Sequence, residues 1–225
     1  MKSIFLQADT AMGVAASTTS KLSLLDLTLK GGIMMIPIVI LLIIAIYIFI
    51  ERYMVIKRSA QIDDNFMNKI RDLVINGNIE GARSLCLSKD SPIARMIEKG
   101  ISRIGNPLKD ITTSIENVAN LEVFKLEKKL ATLATVAGAA PMIGFLGTVT
   151  GMIKAFYELS QAGSNIVPEQ LAGGIYEAMV TTAAGLIVGI PAYFCYNILT
   201  TMIKKVVFKM EATTVEFIDV LHEPV

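Results

Sequence analysis

The chain has 225 residues, of which 53% are apolar and 18% charged, and its mean hydropathy is +0.57. A soluble domain is nearer half apolar and about a quarter charged, so the apolar excess needs a local source. A net charge of +1 gives no electrostatic reason to expect nucleic acid, and one histidine (His222) with two distant cysteines (Cys86, Cys195) leaves little for a disulfide framework, a metal site or a histidine-based triad.

The chain begins MKSIFLQADTAMGVAA, where Gln7 and Asp9 interrupt the apolar stretch after Lys2 too early for a cleaved signal. Residues 1–30 are therefore expected to be an uncleaved tail. The first charge-free run, 20 residues from Gly31 to Ile50, follows directly. At about 1.5 Å per residue it can cross a hydrocarbon core of about 30 Å. Its IPIVILLIIAIYIFI segment is uniform in Ile and Leu with no stripe of small residues, which predicts a helix facing lipid.

Residues 51–129 form the largest polar region and read as helices. Phe66, Ile70, Leu73 and Val74 recur at helical spacing, and Asn76-Gly77-Asn78 ends that helix. A short helix is expected over Ile79–Leu87. Ser91-Pro92 is a cap followed by proline in the first turn, opening a helix to about Ile104. Asn106-Pro107 repeats the signal, and no breaker follows until Pro141, so one helix is expected from Pro107 to about Ser160.

Two further charge-free runs lie on such long helices: 24 residues from Leu130 to Ile153, and 26 from Ala178 to Ile203. Pro168 is expected to open the second helix, which continues towards Leu221, with Gly173 and Gly174 weakening its start. Both runs are rich in Gly, Ala and Thr. Gly147-x-x-x-Gly151 and Gly185-x-x-x-Gly189 are spacings that let helices approach closely, as a seam within one subunit or as the walls of a tight oligomer. Lys and Arg near the membrane number nine beside the 51–129 and 204–225 segments against three on the opposite side. That bias puts the large loop and the C-terminal tail in the cytoplasm. The N-terminal tail and the 154–177 loop then lie outside. The expected fold is an all-α membrane protein with three transmembrane helices, two of them long and extended into a helical cytoplasmic region.

No Asp, Glu, Lys, Arg or His lies in any of the three runs. A proton relay at mid-membrane normally needs such a group, so a titrating site would have to come from another chain. What these runs offer is hydroxyls. At about 100° per residue, Gly144, Thr148, Gly151 and Ala155 share one face, and Ala178, Thr182, Gly185 and Gly189 another. Such narrow faces can line a tight cavity that takes another helix. The alternative is that the threonines bond to the carbonyl four residues back and only adjust helix bending. Glu177 stands at the outer edge of the third run, either as a plain interfacial charge or at the mouth of a cavity. No nucleophile–base pair or phosphate loop is visible, so neither an enzyme nor a cofactor is expected. A passive scaffold of small-residue helices remains the competing reading to a channel.

The segment APMIGFLGTVTGM, residues 140–152, resembles a signature of the MotA/TolQ/ExbB proton channel family. EAMVTTAAGLIVGIPA, residues 177–192, is similar to its second signature, and Tyr196-Asn197 continues it. The opening GGIMMIP (residues 31–37) and Ile50-Glu51-Arg52 also fit. Gly189 stands where the family commonly has Ala, and MotA has four spans rather than three. The resemblance, nearest to ExbB, implies a homopentamer in a bacterial inner membrane with its N-terminus periplasmic. It implies a single-span partner of ExbD or TolR type whose transmembrane Asp enters the pore. It implies that proton flow energises a TonB- or TolA-type protein acting on the outer membrane. By position, Thr148 and Thr182 match the family's pore threonines and Glu177 its third polar residue.

Overall fold

The computed structural model describes residues 31–60, 65–161 and 168–222. The expectation for the 1–30 tail lies outside the described residues. Within them the chain is helical with no strand, and three helical stretches are long and apolar enough to cross a membrane. The protein is an all-α membrane protein. Its helices are α1 (Met35–Ser59), α2 (Phe66–Ile75), α3 (Ile79–Leu87), α4 (Pro92–Ile101), α5 (Leu108–Glu127), α6 (Leu130–Gln161) and α7 (Pro168–His222).

Helix α1 is apolar almost all round. Only Met35, Ile38, Ala45, Ile48, Arg52 and Ile56 are buried along it, a single stripe against α6 and α7, while Ile36, Ile43, Tyr47 and Ile50 point outward. The helix runs on past Ile50 to Ser59 because Glu51 and Arg52 have partners and do not stop it.

Helices α2, α4 and α5 pack against the far part of α7, and α3 packs on α2 and α4. The caps act as their chemistry dictates: Asn78 Oδ1 accepts from Gly81 N (2.9 Å) and Ser91 Oγ from Ala94 N (3.1 Å). The core of this helical unit holds Ile56, Ile70, Met96, Ile97, Ile115 and Phe217, all essentially inaccessible to water. Helix α4 ends at Ile101, slightly before the expected Ile104, in a turn that passes through Gly105 at φ 98°.

The expected single helix from Pro107 to Ser160 is two. It breaks at Lys128 (φ −50°, ψ 134°) and Lys129, whose φ of 68° is left-handed. Such a backbone costs a non-glycine residue roughly 1–2 kcal/mol, so contacts from elsewhere must hold it. Lys129 Nζ reaches Glu51 Oε2 at 2.5 Å and lies over the Tyr47 ring. A broken helix also frees its last carbonyls, and Arg52 Nη1 donates to one of them, Lys125 O, at 3.2 Å. The joint is thus clamped by the end of α1. The Glu51 carboxyl, hydrogen-bonded by Lys129 and then Arg52, is held down to about 2.

A second ionic cluster ties α4 to α5. Glu122 is buried and accepts from Arg95 Nη2 (2.6 Å) and Lys125 Nζ (2.7 Å), and Arg95 also bonds Asp90. Burial raises the Glu122 carboxyl, but these two donors outweigh it and hold it below the ordinary carboxylate value.

Candidate functional site

Helices α6 and α7 lie antiparallel and share the most extensive interface in the chain. It is built from small residues meeting in register. Ala155 faces Gly174, Gly151 faces Ala178, Gly147 receives the Thr181 side chain, Gly144 faces Gly185, and Gly189 receives the Pro141 ring. A Cβ on Gly185 would stand 2.5 Å from Ala140 O, and one on Gly144 would stand 2.8 Å from Thr181 O. The two backbones touch, so a side chain at either position would force them apart. All five glycines singled out by spacing (Gly144, Gly147, Gly151, Gly185 and Gly189) are buried in this seam inside one chain.

In the middle of the seam the structure brings Thr148 and Thr182 together. Thr182 Oγ1 donates to Gly144 O across the interface at 3.0 Å. Thr148 Oγ1 is in short contact with Thr182 Oγ1 and lies 3.2 Å from Ala178 O, closer than the 3.4 Å to Gly144 O in its own helix. The pair is therefore cross-linked between helices, with Thr148 keeping a longer contact to its own backbone at Gly144 O. Thr150 and Thr181 behave the other way. Thr150 bonds Leu146 O and Gly147 O, and Thr181 bonds Ala178 O at 2.8 Å. The four hydroxyls that looked alike in sequence thus divide into two bridging and two back-bonded groups.

Each bridging hydroxyl can give one proton and accept others, so the two oxygens and Gly144 O form a short hydrogen-bonded chain. Both residues are half-buried. Thr148 also borders an open, almost wholly apolar hollow of about 620 Å³ on the outer side of α6, with Met152, Ile153 and Phe156. The hydroxyl pair is thus one residue deep behind a surface broad enough for another helix.

Glu177 is not part of this pair. It is five residues from Thr182, which turns it about 140° around α7. Its carboxylate lies against Gly32, in the turn that opens α1. Gly32 has φ 62°, and a Cβ there would collide with Glu177 Oε1, so both the backbone and the neighbour demand glycine. Beside it Gly31 packs towards Val180. Gly31 and Gly32 are contacts that spacing did not reveal; their signal was a Gly-Gly pair before an apolar run. No cluster of His, Cys, Asp or Glu that could hold a metal is found among the described residues.

This seam coincides with the part of the chain that is recognisable in other proteins. The model of the MotA/TolQ/ExbB proton channel family matches residues 88–212. The ExbB-like 1 protein of Synechocystis is 29% identical over 181 residues, covering 80% of this chain and 71% of that protein. The Tol-Pal system protein TolQ of Haemophilus influenzae is 29% identical over 219 residues, covering 91% and 96%. The biopolymer transport protein ExbB of Xanthomonas campestris is 34% identical over 101 residues, covering 45% and 40%. The family match takes in more than half of the chain, including α5, all of α6 and the membrane part of α7, and the chain belongs to the MotA/TolQ/ExbB proton channel family.

Proposed function

We propose that this chain is the channel and stator subunit of a proton-driven motor in a bacterial inner membrane. It works as a homo-oligomeric ring, most simply the pentamer implied by the family, around a single-span ExbD-like partner. Its large helical unit and C-terminus lie in the cytoplasm and its N-terminus in the periplasm. The observation that carries the reading is the Thr148–Thr182 pair. It is a bridged couple of hydroxyls in a membrane seam whose spans contain no Asp, Glu, Lys, Arg or His. Hydroxyls relay protons but do not store them, so the storing group belongs to the guest, as a carboxylate on the partner helix.

In this mechanism the partner's carboxylate takes a proton from the outer side and releases it inward. The bridged threonines donate to its charged form and pass the proton on. Neutral and charged forms of the carboxylate favour different positions of the partner helices in the ring, and that difference drives a TonB-like protein. Glu177, at the outer boundary, holds the start of α1 against α7 and offers negative charge to incoming protons.

Thr182→Val and Glu177→Ala test this in cells whose energised uptake depends on the complex, with Thr150→Val as control. Valine keeps the shape and removes the hydroxyl. Thr182→Val is expected to lower uptake by at least about tenfold, a loss of about 1.4 kcal/mol in coupling, with the complex assembled normally. Glu177→Ala is expected to reduce uptake too, while Thr150→Val leaves it unchanged. Normal uptake in Thr182→Val cells removes the bridged pair from the mechanism. A TolQ-type role in the envelope is the second reading, favoured by the nearly end-to-end match to the Haemophilus protein. Failure to grow on scarce iron marks the ExbB role, and sensitivity to detergent marks the TolQ role.

A further inference from the structure

Two surfaces far apart along the chain lie on one edge of the α6–α7 pair. Thr148, which borders the apolar hollow in the membrane, and Leu130 lie 18 residues, or about five turns, apart on α6. Thr182, Thr200 and Ile218 follow one another at the same interval along α7. A whole number of turns leaves side chains pointing the same way. The buried side of each helix also keeps its direction, from Leu133 to Ala155 in α6 and from Thr181 to Phe217 in α7. Helix α1 takes the other edge, where Gly32 meets Glu177.

Leu130 and Thr200 line a hollow of about 540 Å³ at the inner end of the two spans, and Ile218 lines another of about 560 Å³ beyond it. The two share Val123, Val207 and Glu211 and form one groove between α5 and the distal part of α7. From Lys204, where the third charge-free run ends, to Asp219 it extends about 22 Å along the helical unit. Phe208 (71% exposed) and Val215 (62%) lie uncovered in it. Four exposed carboxylates, Glu116, Glu127, Glu211 and Asp219, border it against two ammonium groups, Lys204 and, one turn before Thr112, Lys109. None of the six forms an ion pair among the described residues, so the groove keeps an excess of two negative charges.

We propose that this groove holds the basic segment that flanks the partner's span on the cytoplasmic side. The proposal rests on the reading of the Thr148 hollow as the seat of the partner's carboxylate-bearing helix, and extends it to the chain that follows. A helix against the hollow runs along the same edge and leaves the membrane beside Lys204, at the mouth of the groove. Segments next to a span on the cytoplasmic side carry an excess of Lys and Arg, which is the charge the rim lacks. The groove takes about fifteen residues as a helix or about seven extended, with apolar side chains on its floor and cations at its rim. A phospholipid headgroup fits it less well, because its phosphate would face four carboxylates. The wall then holds its guest at two depths, the carboxylate beside the hydroxyls and the flank in the groove.

Photoreactive p-benzoylphenylalanine at single positions tests the docking, in the full chain expressed with its partner in native membranes, with adducts identified by mass spectrometry. Placed at Ile153, beside the hollow, it reports the span; placed at Phe208, it reports the groove. Phe208 is expected to capture a peptide within about fifteen residues of the partner's span on the cytoplasmic side, from the same protein whose span Ile153 captures. Glu127→Lys with Glu211→Lys is expected to lower the Phe208 adduct at least about fivefold and to leave the Ile153 adduct unchanged. Capture at Ile153 with no partner peptide at Phe208, or with phospholipid or a second copy of this chain there instead, overturns the docking and leaves the reading of the hollow standing. A Phe208 adduct that charge reversal does not lower overturns it too. No partner captured at either position overturns both.

Discussion

At the scale of single residues, the seam between α6 and α7 distinguishes positions that are equivalent on paper. Gly138 and Gly173 sit in the same kind of segment as Gly144 and Gly185, yet a Cβ on either would meet nothing within 4 Å. A Cβ on Gly185 would meet Ala140 O at 2.5 Å and Gly144 Cα at 3.0 Å, both backbone atoms that cannot turn aside. Gly185→Ala should therefore lower stability by about 1–3 kcal/mol, the usual cost of overpacking, and should separate Thr148 from Thr182. Gly173→Ala should cost nothing, or gain from helix propensity. Thermal unfolding of the detergent-extracted protein reads both. Equal midpoints for the two variants would mean that the seam is looser than its geometry.

Why the glycines and threonines were visible in sequence while their pairing was not is itself a matter of residues. The 3.6-residue period puts Gly144, Thr148, Gly151 and Ala155 on one face whatever they touch. Nothing local says whether that face meets a neighbouring subunit or α7 of the same chain. The contacts of Gly144 with Gly185, and of Thr182 with Gly144 O, span 38 residues or more and exist only once both helices are placed. Hydroxyl direction is equally non-local. Thr150 takes only the carbonyls of its own helix, whereas Thr148 also reaches across to Ala178 O and Thr182, because only Thr148 faces the opening between them.

At the scale of elements, the joint between α5 and α6 shows the opposite limit. Ser91-Pro92 and Asn78 announce their helices because capping chemistry is written in three or four consecutive residues. The break at Lys128–Lys129 has no such signature, since lysine is neither a turn former nor tolerant of positive φ. It is imposed from Glu51 and Arg52, more than seventy residues earlier. The joint is therefore expected to respond to acid. The Glu51 carboxyl is held at about 2 against an ordinary 4.5, first by the hydrogen bond from Lys129 and then by that from Arg52. A depressed carboxyl contributes its stabilisation in full above the ordinary value and loses it as pH falls through the depressed one. Amide exchange over residues 128–133, corrected for intrinsic rate, should rise between about pH 4.5 and about pH 2 in the native protein. In Glu51→Gln it should be raised already at neutral pH and show no further step in that window. A native profile without the step would mean that the clamp does not hold the joint.

At the scale of the whole molecule, the proposed division of labour is between a wall and a guest. Three apolar runs and their lack of charge were legible because a hydrocarbon core penalises charge so heavily that composition alone reveals it. The length of α7, 55 residues from Pro168 to His222, ties the membrane seam to the helical unit as one rod, so a force on either is felt by the other. Helix α1 only borders the seam and is exposed elsewhere. A wall with no Asp, Glu, Lys, Arg or His in its membrane runs should not pass protons unaided, however well its helices pack. Purified chain in vesicles with an imposed pH difference and a trapped pH dye should leak no faster than empty vesicles. Adding a partner with a membrane-embedded carboxylate should raise the rate, and replacing that carboxylate by its amide should return it to the background. A fast leak through the chain alone, abolished by Thr182→Val, would place the complete proton path in this polypeptide and remove the need for a guest acid.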